Sequence, residues 1–452
     1  MTSTLTPADS LRRVLGWLIV PVIIVMQFVD LRRGLFAASK SLVSVDLVLY
    51  SAVVVVCLPW TIKSLRTTAS ALWWVMVPFV TLCGYALVSA LFVRPPEVFL
   101  IGYGTGLPTV SGLVPERIDL VMPTIMALLA LAAAASLVAV MPARLRLRQL
   151  WVASAVLVAT TYLSWPRRIG ESDRLSAGIG GAAVIFSALL LTLAMFLASY
   201  RAGLWRVASL VGAGMSALAI VLSGSRSGLI CLVVFIVVAF AGLVAKRTLP
   251  RPVAWGIGAL VAVLGALLVL IPEAQRLLSF SDELRQINLR ASWVAWTESW
   301  HSLLLGQGSG RVWPWYLYES TELPIVPRIV TTTWGEALPH AHSTFLAVLV
   351  ELGLVGFVVL AVMLVGVGRI LVVGKRWGRP SFLVAAAIVA TIPGWLFDTF
   401  LIKNFPLALW WWFVLIAVFG FRVFADERVA SSVSAEQPVA QPDAVVGRPT
   451  EA

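Results

Sequence analysis

The sequence predicts an all-α polytopic membrane protein, on the basis of its composition and of the way its apolar residues are arranged. Hydrophobic residues make up 60% of the 452-residue chain and charged residues only 12%, whereas a soluble chain carries about a quarter charged residues. Apolar segments long enough to cross a bilayer recur from one end of the chain to the other. A water-soluble multidomain enzyme is therefore excluded.

Twelve apolar segments are the predicted membrane helices, and together they form one membrane domain over about residues 1–424. They lie at about residues 14–29, 46–62, 71–93, 119–141, 150–164, 178–200, 207–222, 228–245, 253–271, 343–367, 382–397 and 407–424. The remaining residues, 425–452, are rich in Ser, Ala, Pro and Glu, which predicts a disordered tail.

Charge divides the connectors between these segments into two sets. Arg and Lys concentrate on alternate connectors, for example at residues 144–148 and 369–379, whereas the other set holds nearly all of the Asp and Glu. Since cytoplasmic loops are enriched in Lys and Arg, both termini are predicted to be cytoplasmic. The same bias accounts for the net charge of +12. The charge therefore indicates a bilayer and not a nucleic acid as partner.

One connector is much longer than the others. Residues 272–342, between the ninth and tenth predicted spans, form a large loop on the extracytoplasmic side. This loop contains all three histidines of the chain, five arginines and six of the nineteen tryptophans. Long loops in compact proteins are usually functional, so we expect the functional residues here and at the neighbouring span ends.

The connector between the seventh and eighth spans is the short stretch Ser223–Leu229, which contains Arg226 between two serines and two glycines. An arginine at the end of an apolar helix is costly unless it snorkels or binds an anion. Ser225 or Ser227 is expected to cap the following helix, whose N-terminus attracts negative charge. This pattern predicts a phosphate site; the alternative is an interfacial anchor that only closes a hairpin.

The loop itself contains a predicted helix from Leu289 to Trp300. On this helix, one stripe carries Arg290, Trp293, Thr297 and His301. Either the helix holds Arg290 over a lipid-linked anion, or it is an interfacial helix whose arginine faces water at the headgroup layer. The glycine-rich stretch that follows ends at Arg311 and resembles a phosphate-cradling loop, although most such clusters are turns.

Two histidines, His340 and His342, precede the tenth span. An imidazole at the membrane surface serves as a general base; the alternative is packing at the helix start. Glu351, two turns further on, is an intramembrane carboxylate with either a functional or a hydrogen-bonded structural role. Acidic or thiol partners at ligand spacing are missing from the sequence around the histidines, and Cys57, Cys83 and Cys231 have no CxxC spacing. No metal site is therefore predicted.

Taken in order, these motifs resemble the O-antigen ligase and polymerase superfamily of bacterial envelope glycosyltransferases. The motifs are S-x-S-R-x-G at a span boundary, an arginine-led helix running into G-x-G-x-G, and H-S-T-F-L-x-x-L-x-E-x-G-L-x-G opening the next span. The resemblance covers about residues 178–367. It implies a fold akin to type C membrane glycosyltransferases in the bacterial cytoplasmic membrane. It also implies transfer of a glycan from an undecaprenyl-diphosphate carrier to an acceptor hydroxyl on the outer face.

The resemblance also implies roles for individual residues. Arg226 and Arg290 stand where the family has its span-boundary and loop arginines, and His342 stands at the histidine position. These three are the candidate catalytic residues of a metal-independent, inverting transfer without a cofactor. The candidate substrate-binding residues are Ser225, Arg311, His340 and Glu351. Ser343 departs from the family, which usually has Asn after the histidine, and either His340 or His342 is the base.

Three other functions compete with a ligase. A polymerase of the same superfamily uses the same parts and differs in its acceptor. A twelve-span secondary transporter would have related halves and charged or broken helices near the bilayer midplane, whereas the polar residues of this chain crowd at the outer surface. A structural scaffold would not require a loop with five arginines and three histidines. The acceptor itself, whether a glycan, a lipid or a protein hydroxyl, stays open.

Overall fold

A computed structural model describes fourteen parts of the chain: residues 10–11, 14–17, 40–66, 68–93, 98–100, 110–113, 117–141, 146–164, 185–199, 204–245, 283–313, 330–338, 340–402 and 404–420. The described part is mostly helical. Its helices are α1 (Lys40–Leu65), α2 (Ser70–Phe92), α3 (Arg117–Val140), α4 (Arg146–Ser164), α5 (Phe186–Ala198), α6 (Leu204–Leu222), α7 (Arg226–Ala245), α8 (Glu283–Thr297), α9 (Trp300–Leu305), α10 (Thr344–Trp377), α11 (Arg379–Ala390) and α12 (Phe405–Phe419). A 3₁₀ helix, Ile392–Leu396, follows α11.

The described helices confirm the prediction of a polytopic α-helical membrane protein. Within the described ranges, seven helical stretches are long and apolar enough to cross a membrane, and α5 and α12 are shorter apolar helices. Ten of the twelve predicted segments coincide with a described helix; the one at 150–164 is α4, which begins with Arg146 and is not among the seven. The segments at 14–29 (beyond residue 17) and 253–271 lie outside the described residues, as does the tail at 425–452.

Two short helices, α5 and α12, form the centre of the bundle. Almost every residue of α5 and α12 is buried, including Trp411 and Trp412. A helix that is hydrophobic all round is stable in a protein core or in a bilayer, and here other helices enclose it. The neighbouring helices contact α12 in two ways. The ring centres of Phe79, on α2, and Trp412 lie 4.8 Å apart. Trp411 Nε1 donates a hydrogen bond to Oγ1 of Thr391, at the end of α11, at 3.2 Å.

Small residues let α10 approach α2 closely. A Cβ added at Gly366 would lie 2.2 Å from the carbonyl oxygen of Trp74, so only glycine fits there. One turn further along α10, the guanidinium of Arg369 lies 4.4 Å from the centre of the Trp74 ring, a favourable cation–π distance.

A small antiparallel sheet was not predicted from the sequence. Strands β1 (Val98–Leu100) and β2 (Val110–Leu113) come from the connector between α2 and α3, whereas β3 (Val330–Thr332) and β4 (Gly335–Ala337) come from the long loop. The strand order is β2-β1-β3-β4, with Phe99 opposite Thr331. Two connectors far apart in sequence are therefore joined at one end of the bundle.

Helix α10 is broken at Gly353, where φ is 64° and ψ is −166°. The break leaves the carbonyls of Val350 and Glu351 without their usual partners one turn on. The backbone N–H groups of Gln307 and Gly308, just after α9, donate to these two oxygens at 2.9 Å each. The start of the glycine-rich stretch thus packs against α10 and supplies hydrogen bonds at the break in that helix. From the sequence alone, the same stretch resembled a phosphate-cradling loop.

Candidate active site

A cavity of about 520 Å³ lies within the described part of the chain. It lies where α7, α8, α10 and the 3₁₀ helix meet. Its polar lining comes from the α6–α7 turn, from α8 and from the residues before α10; its apolar lining comes from α8, α10 and the residues around Leu396. The lining residues are Gly224, Ser225, Arg226, Ser227, Arg285, Asn288, Leu289, Ala341, His342, Ser343, Phe345, Leu346, Leu349, Phe357, Leu396 and Phe397.

The first polar wall is the N-terminus of α7. Gly224 turns the chain with a φ of 59°, a conformation that favours glycine. Ser225 caps α7, because its Oγ accepts from the N–H of Gly228 at 3.2 Å. Arg226 is then the first residue of the helix and lines the cavity. The prediction that one of the two serines is the cap is confirmed for Ser225.

The second polar wall is the histidine segment. His342 has a φ of 47°, a left-handed conformation that is uncommon for any residue with a Cβ. The next residue, Ser343, caps α10 by accepting from the N–H of Leu346 at 3.2 Å, and its hydroxyl lies 3.4 Å from the carbonyl oxygen of Trp395. The backbone therefore turns at His342, directly before α10 begins, and His342 lines the cavity.

A buried asparagine on α8 holds this segment in place. Asn288 is only 2% exposed. Its Nδ2 donates to the carbonyl of Ala341 at 3.1 Å, and its Oδ1 accepts from the N–H of Leu338 at 3.2 Å and from Trp313 Nε1 at 3.4 Å. The strained backbone at His342 is thus flanked by a helix cap on one side and by Asn288 on the other.

The buried face of α8 decides which of its arginines lines the cavity. Its buried residues, Asn288, Ala291, Ser292 and Ala295, recur at helical spacing. Arg285 lies one turn before Asn288 and about 60° around the helix from it, whereas Arg290 lies about 160° away. Both arginines are exposed, but only Arg285 is among the lining residues. The predicted helix also ends early, since Ser299 caps α9 by accepting from the N–H of Ser302.

One protein-family model matches the part of the chain that forms most of this cavity. Residues 211–361 match the family model described as O-antigen ligase. This segment belongs to the O-antigen ligase superfamily. The match begins within α6 and ends within α10, and it contains every cavity-lining residue except Leu396 and Phe397. No curated protein matches the chain.

Membership of the O-antigen ligase superfamily confirms the resemblance drawn from the sequence motifs. The chain is a multi-pass bacterial membrane protein of polysaccharide biosynthesis, and the family is one of glycosyltransferase-like enzymes that act on lipid-linked glycans. The segment brings Ser225, Arg226 and His342, three of the predicted site residues, to one cavity.

The other predicted site residues of the O-antigen ligase segment lie outside the lining of the cavity. His340 packs edge-on against His342, with ring centres 5.4 Å apart. Arg311 donates from Nη1 to Gln307 Oε1 at 3.2 Å, and its guanidinium lies 5.6 Å from the ring centre of Trp334.

Glu351 is a buried carboxylate near the break in α10, with 4% of its surface exposed. Its Oε1 accepts from the N–H of Trp313 at 3.3 Å. It lines a second, much smaller cavity of about 20 Å³ together with Ser309 and Thr344. This position favours the hydrogen-bonded structural role among the two that the sequence left open.

Sequence reasoning missed two polar lining residues, Arg285 and Asn288. The sequence signal for these two residues was the stripe of small residues on α8. The stripe shows which face of the helix is buried once Asn288 is counted as part of it. Among the residues described, no group of three or more His, Cys, Asp or Glu is placed to hold a metal ion.

Proposed function

We propose that this protein transfers a glycan from a polyprenyl-diphosphate-linked donor to an acceptor hydroxyl at the outer face of the bacterial cytoplasmic membrane. The observation that carries the proposal is that Arg226 and His342, at opposite ends of the O-antigen ligase segment, line one cavity with apolar residues beside them. Such a cavity suits a ligand with an anionic head and an apolar tail.

Arg226 acts on the leaving group. When the bond between the sugar C1 and the diphosphate oxygen breaks, the bonding electrons stay on the carrier diphosphate. Donors fixed around developing charge supply much of the catalysis in such reactions. Arg226 binds phosphate oxygens bidentately, and the N-terminus of α7 adds a favourable dipole.

His342 acts on the incoming hydroxyl. As the acceptor oxygen forms its bond to C1, the imidazole takes up the hydroxyl proton, a contribution of roughly 10²–10⁴-fold. Direct attack from the side opposite the diphosphate inverts the anomeric carbon. Lining of the cavity by His342, and not by His340, supports His342 as the base. The role of Arg290 as a second diphosphate ligand stays a prediction. Arg290 is exposed on α8 and is not among the residues that line the cavity.

The acceptor distinguishes a ligase from a polymerase of the same superfamily. A ligase transfers the glycan to a different molecule, whereas a polymerase transfers it to another lipid-linked repeat unit. The cavity chemistry is the same in both, so the test supplies both kinds of acceptor.

The test is reconstitution of the full chain in vesicles with labelled undecaprenyl-diphosphate-linked glycan. Wild type is expected to form a new glycosidic bond. His342→Ala should lower kcat roughly 10²–10⁴-fold, and Arg226→Ala should lower kcat/KM by about 10- to 100-fold. Matched controls are His301→Ala and Arg148→Ala, which remove the same side chains from exposed positions outside the cavity. Movement of the labelled lipid without any new bond would instead indicate a transporter and contradict the proposal.

A further inference from the structure

The end of the short helix α9 lies well below the end of the neighbouring membrane helix α2. The hydroxyl of Tyr85, on α2, donates to the carbonyl of Leu305, the last residue of α9, at 2.8 Å. Phe92, where α2 ends, is seven residues beyond Tyr85, which corresponds to about 10 Å along the helix axis. The 23 residues of α2 span about 34 Å, little more than the hydrocarbon core of about 30 Å. Leu305 is therefore level with the hydrocarbon.

Helix α10 gives a second, independent measure of this depth. A Cβ added at Gly353 would lie 2.4 Å from the carbonyl oxygen of Leu304, so the end of α9 touches the backbone of α10 at its break. Gly353 is nine residues from Thr344, where α10 begins, or about 14 Å along the helix. Two separate membrane helices thus place the end of α9 about 10 to 14 Å below their own ends.

The chain reaches this depth and returns on the same side of the bundle. Before α9, the carboxylate of Glu298 accepts at 3.0 Å from an indole N–H in the turn between β3 and β4. After α9, Gln307 Nε2 donates to the same carboxylate at 2.7 Å. The N–H of Ser309 then donates to Ser89 Oγ at 3.3 Å, one turn nearer the end of α2 than the contact of α9. Residues 298–310 therefore descend through α9 and come back beside α2.

The surface of this segment is apolar where it is exposed, and its irregular backbone is enclosed. Trp300 is 80% exposed, Leu304 47% and Leu305 42%, and Val88 on the adjoining surface of α2 is exposed as well. Residues 306–310, which are not helical, are all buried, and their backbone bonds to α9 and α10. Non-helical backbone at membrane depth is tolerated where protein surrounds it. Exposed leucines at that depth continue the lipid-facing surface of α2.

We propose that residues 298–310 form a re-entrant loop, and that Leu304 and Leu305 at its tip contact the acyl chains of the leaflet on the side of the long loop. Trp300, at the other end of α9, then suits the headgroup layer, where tryptophan is enriched. Helix α8 ends at Thr297, directly before this loop. The loop therefore fixes the height of α8, and of the cavity wall that α8 forms, relative to the membrane. This contact does not require that the protein transfers a glycan.

Nitroxide labels on single cysteines measure the depth of the tip in the full chain, reconstituted in vesicles of phosphatidylcholine and phosphatidylglycerol. Power-saturation EPR compares collisions with oxygen, which concentrates in hydrocarbon, and with a neutral nickel chelate, which stays in water. Labels at Leu304→Cys and Leu305→Cys should give an oxygen-to-nickel collision ratio several-fold above that at Thr333→Cys, in the exposed turn between β3 and β4. The ratio should approach that at Val88→Cys on α2. The natural cysteines are buried, so the unsubstituted protein gives the background.

Two results of the labelling would overturn the proposal. Frequent collision with the nickel chelate at both tip positions would place them in water. Rare collision with both reagents would show that protein covers the tip, either another part of this chain or a second copy. Neither reading needs a donor or an acceptor, so a protein that forms no glycosidic bond would contradict the proposed function without affecting this test.

A charge at the tip provides a test that needs no label. Leu305→Asp should lower the melting temperature of the protein in lipid nanodiscs, because a carboxylate in hydrocarbon is costly. Leu305→Ala controls for the lost side chain, and Thr333→Asp, at an exposed position in the β3–β4 turn, controls for the added charge. Both controls should melt at a higher temperature than Leu305→Asp. Equal melting of Leu305→Asp and Leu305→Ala would contradict contact with acyl chains.

Discussion

At the residue scale, the clearest consequence of the structure concerns Asn288, which the sequence did not single out. Its carboxamide makes three hydrogen bonds to two segments of the long loop, and one of these holds the backbone next to His342. Asn288 is thereby a positioning residue that acts through the histidine. Its effect should differ from that of Arg226, which we propose contacts the donor.

Replacement of Asn288 by Ala should lower kcat more than it changes the donor KM, because the donor contacts stay while the base loses its support. The buried groups left without partners also cost about 1–3 kcal/mol each, so thermal unfolding should begin at a lower temperature. Steady-state kinetics at saturating acceptor give the kcat and KM separately. Ser292→Ala is the control, since Ser292 lies one turn further along the same buried face and donates only to the carbonyl of Asn288. An increase in KM alone would contradict a positioning role.

The sequence identified Arg226 and His342 as members of one site, and the structure places both on one cavity. Their proximity could be predicted because each residue stands at the end of a membrane helix, where hydropathy indicates the position along the chain. Arg285 was not recognised because its orientation depends on the phase of α8. That phase is set by the buried carboxamide of Asn288, which bonds to residues 25 and 50 positions away. The stripe of small residues shows the phase only once Asn288 is counted as buried.

At the element scale, the break in α10 and the glycine-rich stretch form one structural unit. Gly353 has a φ of 64°, and a Cβ added there would lie 2.4 Å from the carbonyl oxygen of Leu304. A Cβ at Gly306 would likewise lie 2.3 Å from the carbonyl oxygen of Glu351. Each glycine therefore permits the backbone of α9 and its following turn to touch the backbone of α10.

Gly353→Ala should destabilise the protein by more than about 1 kcal/mol, because Ala opposes a positive φ and the added methyl overlaps α9. Gly368→Ala provides a control on the same helix, where a Cβ would meet nothing within 4 Å. In that ordinary helical position, alanine should be neutral or stabilise by up to about 1 kcal/mol. Melting temperatures of the two detergent-solubilised variants test this, and equal melting of both would show that the contact carries no stability.

Sequence patterns predicted the membrane helices better than the elements of the loop. Hydropathy over twenty residues is a strong signal, so ten predicted spans coincide with described helices. The end of α8 was placed too late because a single capping serine, Ser299, interrupts an otherwise helical pattern. The sheet was missed because its strands have only three or four residues, too few to show a periodicity, and because its central pair, β1 with β3, joins positions more than two hundred apart.

At the scale of the whole molecule, the described connectors that are predicted to be extracytoplasmic meet at one end of the bundle. The α2–α3 connector pairs with the loop through β1 and β3, and the connector before α12 bonds to the start of α10 through Asp398 and Thr344 at 3.1 Å. The arginine-rich connector around Arg376 lies at the other end of α10. This arrangement agrees with the alternation of charge along the sequence.

Labelling of single cysteines tests the proposed orientation. Thr333→Cys, in the exposed turn between β3 and β4, should react with a membrane-impermeant maleimide in intact cells, whereas Arg376→Cys should react only after permeabilisation. The three natural cysteines are buried, so the unsubstituted protein gives the background. The reverse labelling pattern would place the cavity on the cytoplasmic side and contradict transfer at the outer face.

Arg285 and Asn288 belong to the same helix, and Asn288 is bonded to the segment that presents His342. One hydrogen bond therefore ties the helix that carries Arg285 to the backbone beside His342. Arg226 belongs to the separate helix α7. The cavity is thus built from two walls that the chain anchors separately, one through Asn288 and one through the N-terminus of α7.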